Sequence, residues 1–260
     1  MKEISMDFFR DEVRNGFFIP TAVKQAWAAQ LQVLDVIETI CRKHDITYFA
    51  DWGTILGTVR HGGYVPWDDD MDICMKREDY TRFKEAAKTE LPKDFRIHDY
   101  EHQEDHWLFL SRVANSVHIN FEPEHMKQFH NFPYIAGIDI FVLDYLYKDE
   151  QQEKQRCEEV KHIIAVADSI IAGEIAQPVK EANLIQLEEK YHKTFNRKLD
   201  NRHIGIELYR LAEEQMARVP EEQSDRMAQI FPLGLLGNRG QEKKYYEKFV
   251  RLPFEDTTMP

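Results

Sequence analysis

The sequence predicts an α+β fold, with a mixed β-sheet core, flanking helices and a helical C-terminal part. Three observations carry that expectation. Apolar residues recur at helical spacing up to about Arg42 and are followed by a short apolar run at Ile46 to Ala50, so a helix leads into a strand. Alternation through Met71, Ile73 and Met75, and again through Ile138, Ile140 and Val142, marks two strands that each turn one face to a core. From Asp149 onward the spacing becomes helical. The expected organisation is a core domain over 1–148, a helical subdomain over 149–225 and a segment over 226–260 that returns to the core.

Taken in order, Thr21 is the expected N-cap of a helix that places Val23, Trp27, Leu31, Leu34, Ile37 and Ile40 on one stripe. The strand at Ile46 to Ala50 ends in Asp51-Trp52-Gly53-Thr54, and a helical TILGTVR follows. Gly62-Gly63 and Pro66 force a turn, because glycine tolerates positive φ and proline cannot continue a helix. Arg77 to Ala87 reads as a helix that stops before Pro92. Phe95 to Tyr100 and Trp107 to Val113 read as paired strands, and Val117 to Phe121 alternates again. His98, His102 and His106 recur every four residues, but the flanking pattern favours a hairpin over a shared helix face. Beyond Asp149, three apolar stripes predict three helices: Val160 to Ile171, Leu184 to Phe195 and Ile204 to Met216.

Composition sets bounds on function. The 260 residues are 43% hydrophobic and 31% charged, enough to bury a core. A net charge of −12 argues against a nucleic-acid partner, since phosphate-backbone affinity needs clustered Lys and Arg. Cys41, Cys74 and Cys157 are far apart and form no CxxC, which points to a reducing cytoplasm rather than a disulfide framework or thiolate zinc site. The first residues lack the apolar region of a signal peptide, and no apolar run is long enough to span a bilayer. A cytoplasmic protein is expected, and peripheral contact with the inner membrane face is compatible with that.

The chemistry concentrates between Tyr48 and Cys74. A strand that delivers Gly53-Thr54 to a helix start can aim backbone N–H groups at an anion. Asp68-Asp69-Asp70-Met71-Asp72 then puts four carboxylates within five positions. On a strand, Asp70 and Asp72 share the face opposite Met71 and Ile73, and two like charges side by side are costly unless a cation lies between them. Oxygen-only ligands suit Mg²⁺ or Mn²⁺. An EF-hand loop starting at Asp68 would need glycine at Ile73 and glutamate at Asp79, so that reading fails. A D-D-x-x-D helix of the prenyl-diphosphate synthase type conflicts with Pro66 and the downstream alternation. Asp139 is isolated between apolar neighbours in the strand GIDIFVLD, a placement that calls for a partner or a metal. Arg112 closes a short apolar strand and is suited either to a phosphate or to a surface ion pair. Arg60 and His61 follow the phosphate turn and could neutralise charge on it, or serve only in capping or packing.

WGTILGTVRHGGYVPWDDDMDICMKREDY resembles the signature of the LicD family, a branch of the nucleotidyltransferase-fold enzymes related to fukutin. Trp52 stands where the family usually has a first glycine. Weaker likeness extends to Gly137-Ile138-Asp139-Ile140-Phe141 and Leu252-Pro253-Phe254-Glu255. The chain ends at Met259-Pro260, where relatives usually continue with a short Tyr-rich segment, so residues 226–260 read as a shortened C-terminal part. The resemblance implies a nucleotidyltransferase-like sheet in which Asp70, Asp72 and a third carboxylate hold the metal. Asp139 is the first choice for that third ligand, with Asp144 and Glu122 in reserve. It also implies transfer of phosphocholine from CDP-choline to a sugar hydroxyl of a cell-surface glycan or teichoic-acid precursor, with release of CMP. The partners would be a CDP-alcohol donor and a glycan or lipid-linked sugar acceptor. Gly53, Thr54, Arg60, His61, Trp52, Tyr64 and Trp67 are the expected substrate contacts. A choline head group needs an aromatic cage, for which Tyr48, Trp52, Tyr64 and Trp67 are the nearby candidates. Ribitol phosphate transfer and true nucleotidyl transfer are the alternatives. A non-catalytic binding module is disfavoured, because such a copy has no need to sustain repulsion among Asp70, Asp72 and Asp139.

Overall fold

The computed structural model describes residues 3–102 and 108–260. They form two compact units, one from residues 3–102, 110–143 and 247–260, the other from residues 108–109 and 144–246.

The first unit carries the sheet. Helix α1 (Thr21–Lys43) buries Trp27, Leu31, Leu34, Ile37 and Ile40, the expected stripe. Its start differs from expectation: Thr21 is already helical and Pro20 is the cap. The Thr21 amide donates instead to Asp11 Oδ1, whose carboxylate stands in for a capping side chain. Strand β3 (Tyr48–Ala50) follows, then α2 (Trp52–His61), β4 (Asp72–Lys76) and α3 (Arg77–Glu90). Short strands β5 (Arg96–His98) and β6 (Ser111–Ala114), helix α4 (Pro123–Gln128) and the long strand β7 (Gly137–Tyr145) complete the core. Among the described residues the strand order is β3-β4-β7-β6-β5, with β4 and β7 parallel and the other neighbours antiparallel. Ile73, Met75, Ile138, Ile140 and Val142 pack in one cluster with the α1 stripe.

Two small hairpins flank this core. The first joins β1 (Glu12–Arg14) to β2 (Phe17–Ile19), and the second joins Leu252–Phe254 to Thr257–Met259. Arg14 donates to both Glu255 carboxylate oxygens, at 2.7 and 3.2 Å, and Glu255 also accepts from the Tyr64 amide. The Pro260 carbonyl accepts from the amide of Ala50, extending β3 by one bond.

Two expectations are corrected here. Val117 to Phe121 forms no strand. The segment runs irregularly beside Pro133, with the Asn120 amide bonded to the Pro133 carbonyl, and Val117, Ile119 and Phe121 stay exposed. Alternation alone lacked a sheet neighbour to pair with. The strand expected from Trp107 begins only at Ser111, and Trp107 and His106 lie outside the described residues. His98 is in β5, while His102 follows that strand and bonds Asp99.

The second unit is helical: α5 (Glu150–Ile171), α6 (Gln177–Tyr191) and α7 (Asn201–Met216) follow the three stripes, although α6 ends at Tyr191, where His192 turns left-handed, and leaves Phe195 outside. The last residues of β7, Asp144 and Tyr145, pair with Ala228 and Met227. No helix among the described residues is long and apolar enough to cross a membrane.

Helix α2 has its polarity reversed. Thr54, Gly57 and Thr58 face inward, while Trp52, Ile55, Leu56 and Val59 are exposed. The inward face leaves no room for bulk: a Cβ on Gly57 would lie 2.3 Å from the Gly63 carbonyl oxygen and 2.9 Å from the Val65 nitrogen. Gly57→Ala therefore should destabilise by about 1–3 kcal/mol, the usual cost of overpacking, despite roughly 1 kcal/mol of gained helix propensity. Urea unfolding measures this; a stabilised variant would contradict the packing.

Candidate active site

The acidic site is assembled at the start of β4. Asp72 is the first residue of that strand and pairs in register with Asp139 of β7. Both belong to the sheet face opposite Ile73 and Ile140, as strand alternation requires. The approach to β4 is fixed by backbone bonds: the Asp139 amide donates to the Met71 carbonyl, and the Asp51 amide to the Asp72 carbonyl. Helix α1 holds the preceding loop, with Trp27 Nε1 donating to the Asp68 carbonyl at 3.0 Å and Gln30 Nε2 to that of Asp69 at 2.7 Å.

Other expected contacts divide into near and far. The Thr54 hydroxyl accepts from the Asp72 amide at 2.8 Å, so its side chain locks α2 to β4. Gly53 lies directly under Asp68, where a Cβ would meet the carboxylate at 2.1 Å. Trp52 is 40% and Trp67 67% exposed, and both can meet a ligand. Tyr64 cannot: at 2% exposure it stacks on Trp27, with ring centroids 4.6 Å apart, and its hydroxyl donates to Gln30. Tyr48 is likewise buried, its hydroxyl bonded to Glu38. Arg60 and His61 sit in the last turn of α2, about 10 Å along the axis from Gly53 at the usual rise per residue. They stand away from the start of the helix, and His61 is bonded to Asn15. Of the reserve ligands, Asp144 falls on the opposite strand face from Asp139 by alternation, and Glu122 is exposed at the start of α4.

The LicD/FKTN/FKRP nucleotidyltransferase domain profile matches residues 45–165, which span the pairing of Asp72 with Asp139. Residues 45–165 thus match a LicD-family nucleotidyltransferase domain. It is 43% identical over 53 residues to the lipopolysaccharide cholinephosphotransferase LicD of Haemophilus influenzae, covering 20% of each chain. Uncharacterized proteins of Rickettsia typhi and Rickettsia prowazekii are 39% and 42% identical over 54 and 48 residues, 21% and 18% of this chain and 18% of each of theirs. The chain thus aligns with about a fifth of the length of these curated relatives.

Within the matched LicD-like region, two residues outside the expected set join the site. Asp51 caps α2 through the Trp52 amide and accepts from the buried thiol of Cys74. Asp68 faces the charge of Asp70 at close range. Burial pushes Asp72 up to about 7, with the charges of Asp70, Asp139, Asp51 and Asp68 adding to the shift. Burial and Asp70 also raise Asp68 to about 6. Oxygens of Asp68, Asp69 and Asp70 approach within 4.8 Å of one another. A group of carboxylates held together against repulsion, all oxygen donors, fits a hard divalent cation. A second cluster with metal-ligand residues, Asp99, Glu101 and His102, already receives the Lys84 ammonium, 3.0 Å from Asp99.

The backbone at Trp52 is unusual. Its φ is +44°, a left-handed value that costs a residue with a Cβ roughly 1–2 kcal/mol and a glycine little. This is the position where glycine is usual in the family signature, and the retained indole lies 5.6 Å from the Phe141 ring.

The raised Asp72 value has a stability consequence of fixed sign. Between its ordinary value of 3.8 and about 7, the folded chain keeps a proton that the unfolded chain has lost, so stability falls as pH rises through that window. In chelator, the stability of Asp72→Asn relative to the parent should grow from pH 4 to pH 7 and level off above. A thermal-melt difference that does not change with pH would refute the assigned electrostatics.

Proposed function

We propose that this chain is a metal-dependent phosphotransferase that takes a phospho-alcohol from a cytidine diphosphate alcohol and places it on a sugar hydroxyl, releasing CMP. The favoured donor is CDP-choline, and the acceptor is a cell-surface glycan or teichoic-acid precursor, free or lipid-linked. The observation that carries this reading is the in-register pairing of Asp72 with Asp139 inside the field of Asp51, Asp68 and Asp70. Similarity to a cholinephosphotransferase supports the choice of alcohol.

Asp70, Asp72 and Asp139 would hold Mg²⁺ or Mn²⁺, which when bound stabilises charge on the attacking and leaving oxygens of an in-line displacement. The start of α2 at Gly53 offers the donor phosphates a favourable dipole once Asp68 gives way. Thr54 keeps that helix start in register with β4. Asp68, raised to about 6, has the proton affinity suited to receiving the acceptor hydroxyl's proton near neutral pH. Trp52 offers its exposed indole face to the quaternary ammonium.

Incubation with a panel of CDP-alcohols and Mg²⁺ should yield CMP, with CDP-choline preferred; pyrophosphate as product would place the chain among true nucleotidyltransferases instead. Asp72→Asn should weaken Mn²⁺ binding, by calorimetry, at least by the roughly 10–100-fold that outer-shell partners are worth, and unchanged affinity would remove Asp72 from the metal site. Trp52→Ala should weaken CDP-choline by about 0.5–2 kcal/mol and spare CDP. Equal losses for both ligands would assign the indole to the nucleotide or to packing.

A further inference from the structure

Beyond the carboxylates, the sheet delivers one cation to the same place in a way that demands explanation. Arg112 of β6 pairs in register with Asp139 of β7. Its Nη1 stands 3.6 Å from Asp139 Oδ2, an ion-pair distance too long for a hydrogen bond. The side chain is 44% exposed, and among the described residues its guanidinium donates no hydrogen bond. An exposed, one-armed pair of this kind contributes little to stability. Yet the fold reserves a seat for it. The side chain lies across Gly137, where a Cβ would come within 2.4 Å of Nε and 3.2 Å of Cδ and Cγ. Any other residue at position 137 would push the arginine away from Asp139.

We propose that Arg112 is a substrate-binding residue whose guanidinium takes the non-bridging oxygens of the donor diphosphate. This rests on the reading of the acidic site as a metal–diphosphate site. A guanidinium presents a planar fork of donors that matches two phosphate oxygens, and Arg112 has those donors uncommitted to hydrogen bonds among the described residues. Position supports the assignment as well. The carboxylates of Asp70, Asp72 and Asp139 repel a bare diphosphate, and a cation next to Asp139 lies where a phosphate shared with the metal would need a second positive contact. A counterion alone would have no use for a fork of donors left uncommitted among the described residues.

The two roles predict opposite effects on two ligands. Calorimetry on the full chain would compare Mn²⁺ alone with CDP at saturating Mn²⁺, for the parent, Arg112→Gln and Arg112→Lys. Arg112→Gln should bind Mn²⁺ as tightly as the parent or more tightly, because a positive charge leaves the carboxylates. CDP should weaken by about 10-fold or more, the loss of one charge-assisted contact, and lysine should restore only part. CDP affinity unchanged in Arg112→Gln, or fully restored by lysine, would overturn the proposal. Parallel losses of Mn²⁺ and CDP would do the same, by showing a role in holding Asp139. Gly137→Ala, confirmed folded by thermal melting, should reproduce the CDP loss with Mn²⁺ binding kept; parental CDP affinity there would contradict the seat. A parent that binds Mn²⁺ but no CDP would refute the metal–diphosphate reading itself, whatever the variants do.

Discussion

Two parallel strands whose pairing begins with an acid on each set the terms for this site. Because β4 and β7 pair in register from Asp72 and Asp139, two carboxylates stand side by side on one sheet face. That arrangement opposes folding: burial and neighbouring acids raise Asp72 to about 7, far above a solvated aspartate. The register is nonetheless enforced, since Ile73, Ile138 and Ile140 on the opposite face are fully buried and a one-residue slip would turn them to solvent. The core therefore holds in place a charge pair that the charge pair itself would disperse.

The surroundings serve the same end. Thr54 accepts from the amide of Asp72, and Asp51 bonds across to the Asp72 carbonyl, so the start of α2 and the start of β4 move as one piece. Close approach at Gly57 is what allows that helix to lie so near. Its inward face is made of threonine and glycine because the contacts there are hydrogen bonds and backbone, and its apolar residues are left outside. Trp52 adds local strain at the same place through its positive φ. Buried like charges, an inverted helix face and a left-handed tryptophan thus meet at the acidic cluster, as expected where geometry serves chemistry.

Period and motif made much of this legible in the sequence. Alternation placed Ile73, Met75, Ile138 and Ile140 in the core and Asp72 and Asp139 on the other face, and the three apolar stripes located α5, α6 and α7. What alternation could not supply was a neighbour, which is why Val117 to Phe121 read as a strand. Distance in sequence also misled at Arg60 and His61, because a helix carries residues away from its start at a fixed rise. Tyr64 and Tyr48 lie close to the motif in sequence, but burial of a tyrosine that finds a hydroxyl partner is invisible before the packing is known. The roles of Asp51 and Asp68 were hidden in plain view, one as an apparent helix cap and one within an acidic run. Only the placement of Cys74 and Gly53 against them reveals the work they do.

The central claim, that Asp72 and Asp139 together present a cation site, is tested most directly by anomalous diffraction from crystals soaked in Mn²⁺. The account predicts a single strong peak within ligand distance of both the Asp72 and Asp139 carboxylates. A peak at Asp99, Glu101 and His102 instead, or none near β4 and β7, would contradict it.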